Sequence, residues 1–453
     1  METSRLEEVR LTAFKSFAGQ TLDLRDLTLL IGRNGSGKSN ALDALVVLSR
    51  LALGEPLRDA LDGPRSAEDP IRGGAEGCAP LGQDSFAIGC RVRVGEVAFD
   101  LDVEIEVRPE VRVVSERLTA VGRAAYGSKR VVSGRSLFAS DVRDPQRSDL
   151  NVRYFNGRTG TDPGLPFAAD RLLCSQIAVR VPATSEATRL VHRAAESVVT
   201  ALREVFLLDP VPHLMRQYVN ARDSELRRSG DNLSAAVAEL KRSDGEAFGR
   251  LKQLIAGMPE YPVVEVDSVR TPLGDVQLVL HEEGFHHVVN EVPARLLSDG
   301  MLRFLAFGTA LLSAPVVDAE QKSHESVSDV TEPAQRLLVI EEIENGLYPT
   351  QAARVLGLMK EESDRRRIDI LFTTHSPALL NSLSAQDHSG VVVCTRDPDT
   401  GESLLTKLTD LPGYVDLFAA GGLGDAVAKG RLPAAAEPLG DSNQTIEEFL
   451  RTL

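Results

Sequence analysis

The stretch LTLLIGRNGSGKSNALDAL, from Leu27 to Leu45, constrains this chain more than any other part of it. Apolar residues run into a glycine-rich loop that closes on Lys-Ser, and a helix-spaced pattern follows. Gly32-Arg33-Asn34-Gly35-Ser36-Gly37-Lys38-Ser39 satisfies the pattern G-x-x-x-x-G-K-S/T. Its glycines let backbone N–H groups turn inward around phosphates, and the helix that opens there adds its positive end. Lys38 is expected to reach the β- and γ-phosphates, and Ser39 to place its hydroxyl on Mg2+. The bland alternative is an ordinary glycine turn between strand and helix. A readable strand before the loop and helix after it favour a nucleotide site.

Three later segments extend the pattern. In RLLVIEEIENGLYP, four apolar residues from Leu337 to Ile340 read as a buried strand that delivers Glu341 and Glu342 to its end. Parallel α/β sheets collect their ligands outside the carboxyl ends of their strands. Glu341 is therefore expected in the Mg2+ shell, and Glu342 as the base that orients and deprotonates the attacking water. By itself such an acidic pair is a common turn; behind a P-loop it gains weight. In ILFTTHSPALL, a second apolar strand brings Thr373, Thr374 and His375 to the same edge, where His375 can sense a γ-phosphate or the attacking water. In RLLSDGMLRFLAFGTALLS, Ser298 reads as the N-cap of an amphipathic helix with Asp299 in its first turn.

Between these motifs the patterning changes character. Residues 6–31 alternate in polarity and read as two or three strands, and 85–114 reads as an antiparallel meander. Residues 120–166 carry weak strand signals. From about 166 to 258 apolar residues recur at helical spacing, with Asp231 or Asn232 as a cap. Strands return in YPVVEVDSV and DVQLVLHEE. A helix at 299–313, a polar loop near 314–335, a helix at 350–363 and a strand at 368–374 follow, and the tail reads as a loose end with one short helix. The expected organisation is an N-terminal lobe (1–165), a helical insertion (166–258) and a C-terminal lobe (259–453).

Composition narrows the classes. Apolar residues make up 42% and charged residues 26% of the chain, as in a globular protein. No apolar run approaches the roughly 20 residues that cross a bilayer, and the charged start METSRLEEVRLTAF lacks a signal-peptide core. The scattered cysteines Cys78, Cys90, Cys174 and Cys394 suit a reducing cytoplasm, so a cytoplasmic location without a membrane partner is expected. A net charge of −15 gives no global affinity for nucleic acid, although local basic faces leave nucleic acid open as a ligand. The densest basic run, ESDRRRID (Glu362 to Asp369), reads as a solvated helix end.

In this order the four motifs resemble ABC-type ATPases of the SMC/RecF/OLD kind, often grouped with AAA-family ATPases. FKSFAGQTLDLRDLTLLIGRNGSGKSNALDAL is similar to the SMC-type N-terminus, including Phe14-Lys15-Ser16. LLSDG is similar to the ABC signature, LLVIEEIENGLYP to the Walker B and D-loop segment, and THSPALL to the switch-histidine segment. The resemblance implies an α/β P-loop head, a mixed sheet with an antiparallel β subdomain, split by the insertion. It also implies ATP and Mg2+ as ligands, ATP hydrolysis, and a head-to-head homodimer. ATP held by Gly32 to Asn40 of one copy would be covered by Ser298 and Gly300 of the other, with Asn345 to Leu347 across the seam. Where the family usually has Asp as the first Walker B carboxylate, this chain has Glu341. No motif marks the Q-loop glutamine; Gln83 lies in the corresponding region.

The insertion separates subfamilies. Two antiparallel arms drawn from about 90 residues could reach at most about 60 Å, so a compact lobe is expected in place of an SMC coiled coil. About 70 residues after Leu383 are too few for the nuclease domain of OLD-type proteins. Any effector is therefore expected as a separate protein, and the expected role is a switch in DNA repair or anti-phage defence. The rival readings are a transporter ATPase subunit and a protein-sensing switch that does not bind DNA. Gly37 and Ser298 stand about 260 residues apart, which disfavours the compact transporter head.

Overall fold

A computed structural model describes residues 3–63, 70–126, 130–142, 149–256, 262–284, 287–314, 334–346, 351–419 and 422–432. Its spine is a 14-stranded sheet. Five strands at one end run parallel, in the spatial order Val205–Leu208, Leu337–Ile340, Asp369–Thr373, Leu27–Ile31, Val391–Arg396. Their sequences are nearly unbroken runs of Leu, Ile, Val and Phe, as a sheet covered on both faces requires. Alternation then sorts the side chains. Leu30, Val339 and Leu371 join one apolar core, while Ile31, Ile340 and Phe372 join the other.

Helix Lys38–Ala52 supplies Leu42, Leu45 and Leu48 to the first core. Helices Asp299–Leu312 and Ala352–Arg366 supply Leu305, Leu311, Val355 and Met359 to the second. The other strands of the sheet are antiparallel apart from a single parallel bridge, Phe17 to Ser403. They begin with the hairpin Ser4–Phe14 and Phe17–Asp23 and continue through the meander Ser85–Val94, Val97–Glu106 and Arg112–Val121. The weakly patterned region adds Arg135–Ser140, Asp149–Tyr154 and Gly164–Ala168 to that sheet, in short strands whose few apolar positions give little periodicity.

The segment 166–258 departs from a purely helical insertion. It does hold helices Glu186–Arg203, Leu233–Ser243 and Gly245–Ala256. The first of these has 18 residues, about 27 Å at 1.5 Å per residue, and packs on helix Lys38–Ala52 and strand Ser4–Phe14. Directly after it, Val205–Leu208 pairs with Leu337–Ile340 as the edge strand of the main sheet. Four apolar residues sitting against a long amphipathic helix carry no period that separates them from the helix. A small second sheet, built on Val263–Arg270, Asp275–Glu283 and Val289–Pro293, precedes helix Asp299–Leu312.

Two further readings need correction. Asn232 stands at the N-cap position of Leu233–Ser243, but its side chain caps nothing there. Its Oδ1 accepts from Arg227 N, and its Nδ2 donates to the carbonyls of Asp223 and Glu225. The basic run is not a solvated end: Glu362 and Arg366 are buried and joined at 2.7 Å, Arg250 reaches Glu362 from the neighbouring helix Gly245–Ala256, and Arg365 reaches across to Glu246 on that helix. Residues 315–333 of the polar loop and the tail helix lie outside the described residues.

Candidate functional site

The P-loop links Leu27–Ile31 to Lys38–Ala52 at the carboxyl ends of the parallel strands. Gly32 and Gly37 have positive φ angles of 155° and 115°. A Cβ at Gly32 would collide with the Cys394 carbonyl, and one at Gly37 with the Ser403 side chain. Both positions therefore demand glycine. The neighbouring strand clamps the loop from outside: Cys394 Sγ donates to Ser36 O at 3.2 Å, and Arg396 Nη1 to Gly35 O at 3.1 Å. Burial pushes the Cys394 thiol up to about 11, so it stays a thiol at neutral pH.

Inside the loop, Lys38 folds back so that its Nζ donates to Gly32 O (2.8 Å) and Arg33 O (3.1 Å). Burial lowers its pKa, opposed by Cys394 and by the carboxylates of Glu342, Glu341 and Glu344. Ser36 Oγ is buried without a hydrogen-bond partner among the described residues. An ammonium and a hydroxyl held this way fit phosphate oxygens, which would satisfy both.

Ser39 Oγ donates to Glu341 Oε1, which joins the P-loop helix to the end of the acidic strand. The other oxygen of Glu341 accepts from Arg72 Nη2 at 3.0 Å. Arg72 Nε also reaches Asp43 Oδ1 (3.2 Å), whose second oxygen accepts from Lys15 Nζ at 2.7 Å. Asp43 lies one helical turn beyond Ser39, so both face the same side. No group of three or more His, Cys, Asp or Glu residues able to hold a metal exists among the described residues. One hydroxyl and one carboxylate fit a hard cation such as Mg2+, which takes its remaining ligands from phosphate and water. Asn40 Nδ2 donates to Ser16 Oγ at 2.8 Å, which ties the loop to the Phe-Lys-Ser turn.

Glu342 follows in a left-handed conformation, φ 51°, rare for a residue with a side chain. Its N–H donates to Thr373 Oγ1 (2.8 Å), and its Oε2 accepts from Asn345 Nδ2 (2.7 Å), while the carboxylate stays exposed. Because Ile340 and Phe372 are paired in the parallel ladder, the residues that follow them run side by side. There Glu344 Oε1 accepts from the backbone N–H of His375. Burial, and next the charge of Lys38, lower the His375 pKa against the pull of Glu344 and Glu342.

Ser298 Oγ accepts from Met301 N at 3.1 Å as the N-cap of helix Asp299–Leu312. Arg216 braces this end through Leu297 O (2.9 Å) and Asp299 (2.6 Å), and Ser298 itself is exposed. Among the described residues no hydrogen bond links Ser298 or Gly300 to the P-loop. The fold thus gathers Gly32 to Asn40, Glu341, Glu342 and His375 at one sheet edge and leaves the Ser298 end facing outward. Gln83 sits exposed in a turn, and Leu347 lies outside the described residues. Sequence reading missed Arg72, Asp43 and Glu344. Asp43 was detectable from its spacing after Ser39 and Glu344 as a third carboxylate of the acidic segment, whereas no local pattern marks Arg72.

A P-loop at the centre of a parallel sheet, with an acidic strand end and a histidine strand end beside it, defines a P-loop ATPase head of the ABC and AAA class. The chain belongs to the family described as "AAA domain, putative AbiEii toxin, Type IV TA system", whose model matches residues 27–159 and 181–381. No curated protein matches the sequence. Similar solved structures include the SMC head domain from Thermotoga maritima, at 14% identity over 89% of this chain and 98% of that one, TM-score 0.41. An SMC head bound to the C-winged helix domain of ScpA matches at 13% identity, over 89% and 97% of the two chains, TM-score 0.45. An SMC head with an extended coiled coil, bound to the C-terminal domain of ScpA derived from Pyrococcus furiosus, matches at 12% identity, over 89% and 96%, TM-score 0.43. No helix among the described residues is long and apolar enough to cross a membrane.

Proposed function

We propose that the chain is an ATP-binding and ATP-hydrolysing switch that works as a head-to-head dimer and acts on a separate effector protein. The observation that supports this reading is the hydrogen bond from Ser39 to Glu341, which joins two segments 302 residues apart at the place assigned to the cation. Gly32 to Asn40 cradle the phosphates, and Lys38 exchanges the carbonyls of Gly32 and Arg33 for the β- and γ-phosphates. Ser39 and Glu341 hold Mg2+, which when bound offsets charge on the phosphate oxygens. Glu342, exposed and braced by Asn345, takes the proton of the attacking water. His375, two residues past the strand that adjoins both the P-loop strand and the acidic strand, senses the γ-phosphate or the attacking water. Ser298 and Gly300, at an open helix N-terminus, complete the site of the other copy.

The family description names a toxin of a type IV toxin–antitoxin system, which supports a defence role over transport. DNA repair is the second setting we assign to such a switch; the charge of −15 lends nucleic-acid binding no support. In this reading 1–165 and 259–453 form the head together with helix Glu186–Arg203 and strand Val205–Leu208 from the segment 166–258. Glu342→Gln is the test. It should keep ATP binding, lower turnover by roughly a hundredfold or more, and accumulate an ATP-dependent dimer by light scattering. Parental turnover in that variant would remove Glu342 from the mechanism.

A further inference from the structure

The acidic segment carries a third carboxylate that the proposed mechanism does not use. Glu344 sits in the short helical turn Ile343–Gly346, which the left-handed Glu342 folds back across the end of the histidine strand. The His375 N–H lies beyond the ladder, whose last pair here is Ile340 with Phe372, and before helix Pro377–Asn381, which Ser376 caps through Leu379 N. Neither element supplies that N–H with an acceptor. Glu344 Oε1 does.

The rest of the pair is unusual. Glu344 Oε2 and His375 Nε2 are both buried and have no hydrogen-bond partner among the described residues. Buried polar atoms are ordinarily satisfied, and exceptions mark groups kept ready for another partner. The hydroxyls of Thr373, the last strand residue, and of Thr374 do have partners: Thr373 Oγ1 accepts from Glu342 N, and Thr374 Oγ1 from Ser376 N. The turn and the loop are thus tied to each other by Glu342 N on Thr373 Oγ1 and by His375 N on Glu344 Oε1, while the imidazole Nε2 has no partner among the described residues. The charged groups around that ring are Lys38 from the P-loop helix and Glu342 and Glu344 from the turn.

We propose that Glu344 is a positioning residue: it locks the turn after the acidic strand to the histidine loop, so that Glu342 and His375 move as one unit and the free imidazole nitrogen stays aimed at the nucleotide. The site is the one assigned above, and the proposal rests on that reading for its effect on turnover. The link itself exists without nucleotide.

Two variants separate the link from the reaction. Glu344→Gln keeps an acceptor for the His375 N–H and removes the charge; Glu344→Ala removes both. The chain has eight histidines, so histidine-labelled protein can be titrated by NMR without nucleotide, with His375 assigned through His375→Gln. The His375 midpoint should fall in Glu344→Gln, because an attracting carboxylate is lost. With ATP, Glu344→Ala should lose roughly tenfold or more in kcat at a KM within about twofold of the parent, and Glu344→Gln should recover most of that loss. An unmoved His375 titration in both variants overturns the proposal. So does an equal loss of kcat, KM and melting temperature in both, the mark of a merely structural carboxylate. If the parent does not hydrolyse ATP, the assigned function fails, and the titration alone still decides the Glu344–His375 link.

Discussion

Ser39 and Glu341 are hydrogen-bonded to each other, hydroxyl to carboxylate, although they stand 302 residues apart in sequence. Glu341 is shared with Arg72, so its charge is already balanced by a guanidinium. A divalent cation entering here has to compete with that ion pair. Glu341→Gln keeps an acceptor for Ser39 and weakens the site for Mg2+. The Mg2+ concentration needed for half-maximal binding of a fluorescent ATP analogue should rise roughly tenfold or more, with little change in binding in EDTA. An unchanged Mg2+ requirement would assign the cation to other ligands.

Ser298 gives a test of assembly. Ser298→Asp preserves N-capping, so the melting temperature should hold. The added negative charge would face a phosphate of the other copy, and ATPase should be lost. Lys38→Ala should be inactive for the opposite reason. Mixed one to one, the two dead proteins should regain activity, because one composite site then has both an intact P-loop and an intact Ser298. A mixture as inactive as its components would place catalysis within a single chain.

Glu116 makes stability depend on pH. It is fully buried on strand Arg112–Val121, where it accepts from Leu173 N (2.7 Å) and Cys174 N (2.6 Å). Burial raises its pKa from 4.5 to about 8 despite these bonds. Between those values the folded chain keeps a proton that the unfolded chain has released, so folding weakens as pH rises through the window and levels off above it. Asp369, raised to about 7 by burial, acts in the same direction. The fall in melting temperature from pH 5 to pH 8 should be shallower in Glu116→Gln than in the parent; equal slopes would mean that Glu116 is ionised in the fold.

Glu362 is fully buried and receives Arg366 at 2.7 Å as well as Arg250 from the facing helix. Removing the carboxylate strands the Arg366 guanidinium, whose side chain is 1% exposed. Glu362→Ala should cost about 3–5 kcal/mol in denaturant unfolding, and adding Arg366→Met should return part of it. A loss below about 1 kcal/mol would show the pair to be solvated.

The same arginines show where sequence reading stops. ESDRRRID looks like a wet helix end because composition cannot reveal that helix Gly245–Ala256, more than a hundred residues earlier, closes over it. By contrast the P-loop, the two apolar strands with their carboxylates and histidine, and the Ser298 cap were legible, since each depends on local spacing that the backbone must obey. Strand Val205–Leu208 was hidden for a third reason: four apolar residues after a long amphipathic helix have no period of their own. Arg72 was invisible because its role is defined only by Asp43 and Glu341, residues from two other parts of the chain.

That edge strand also sets how a signal can travel. One residue, Glu204, separates the Glu186–Arg203 helix from a strand laddered directly onto Leu337–Ile340. A protein that grips the helix holds a handle rigidly geared to the two carboxylates, with no slack loop to absorb the pull.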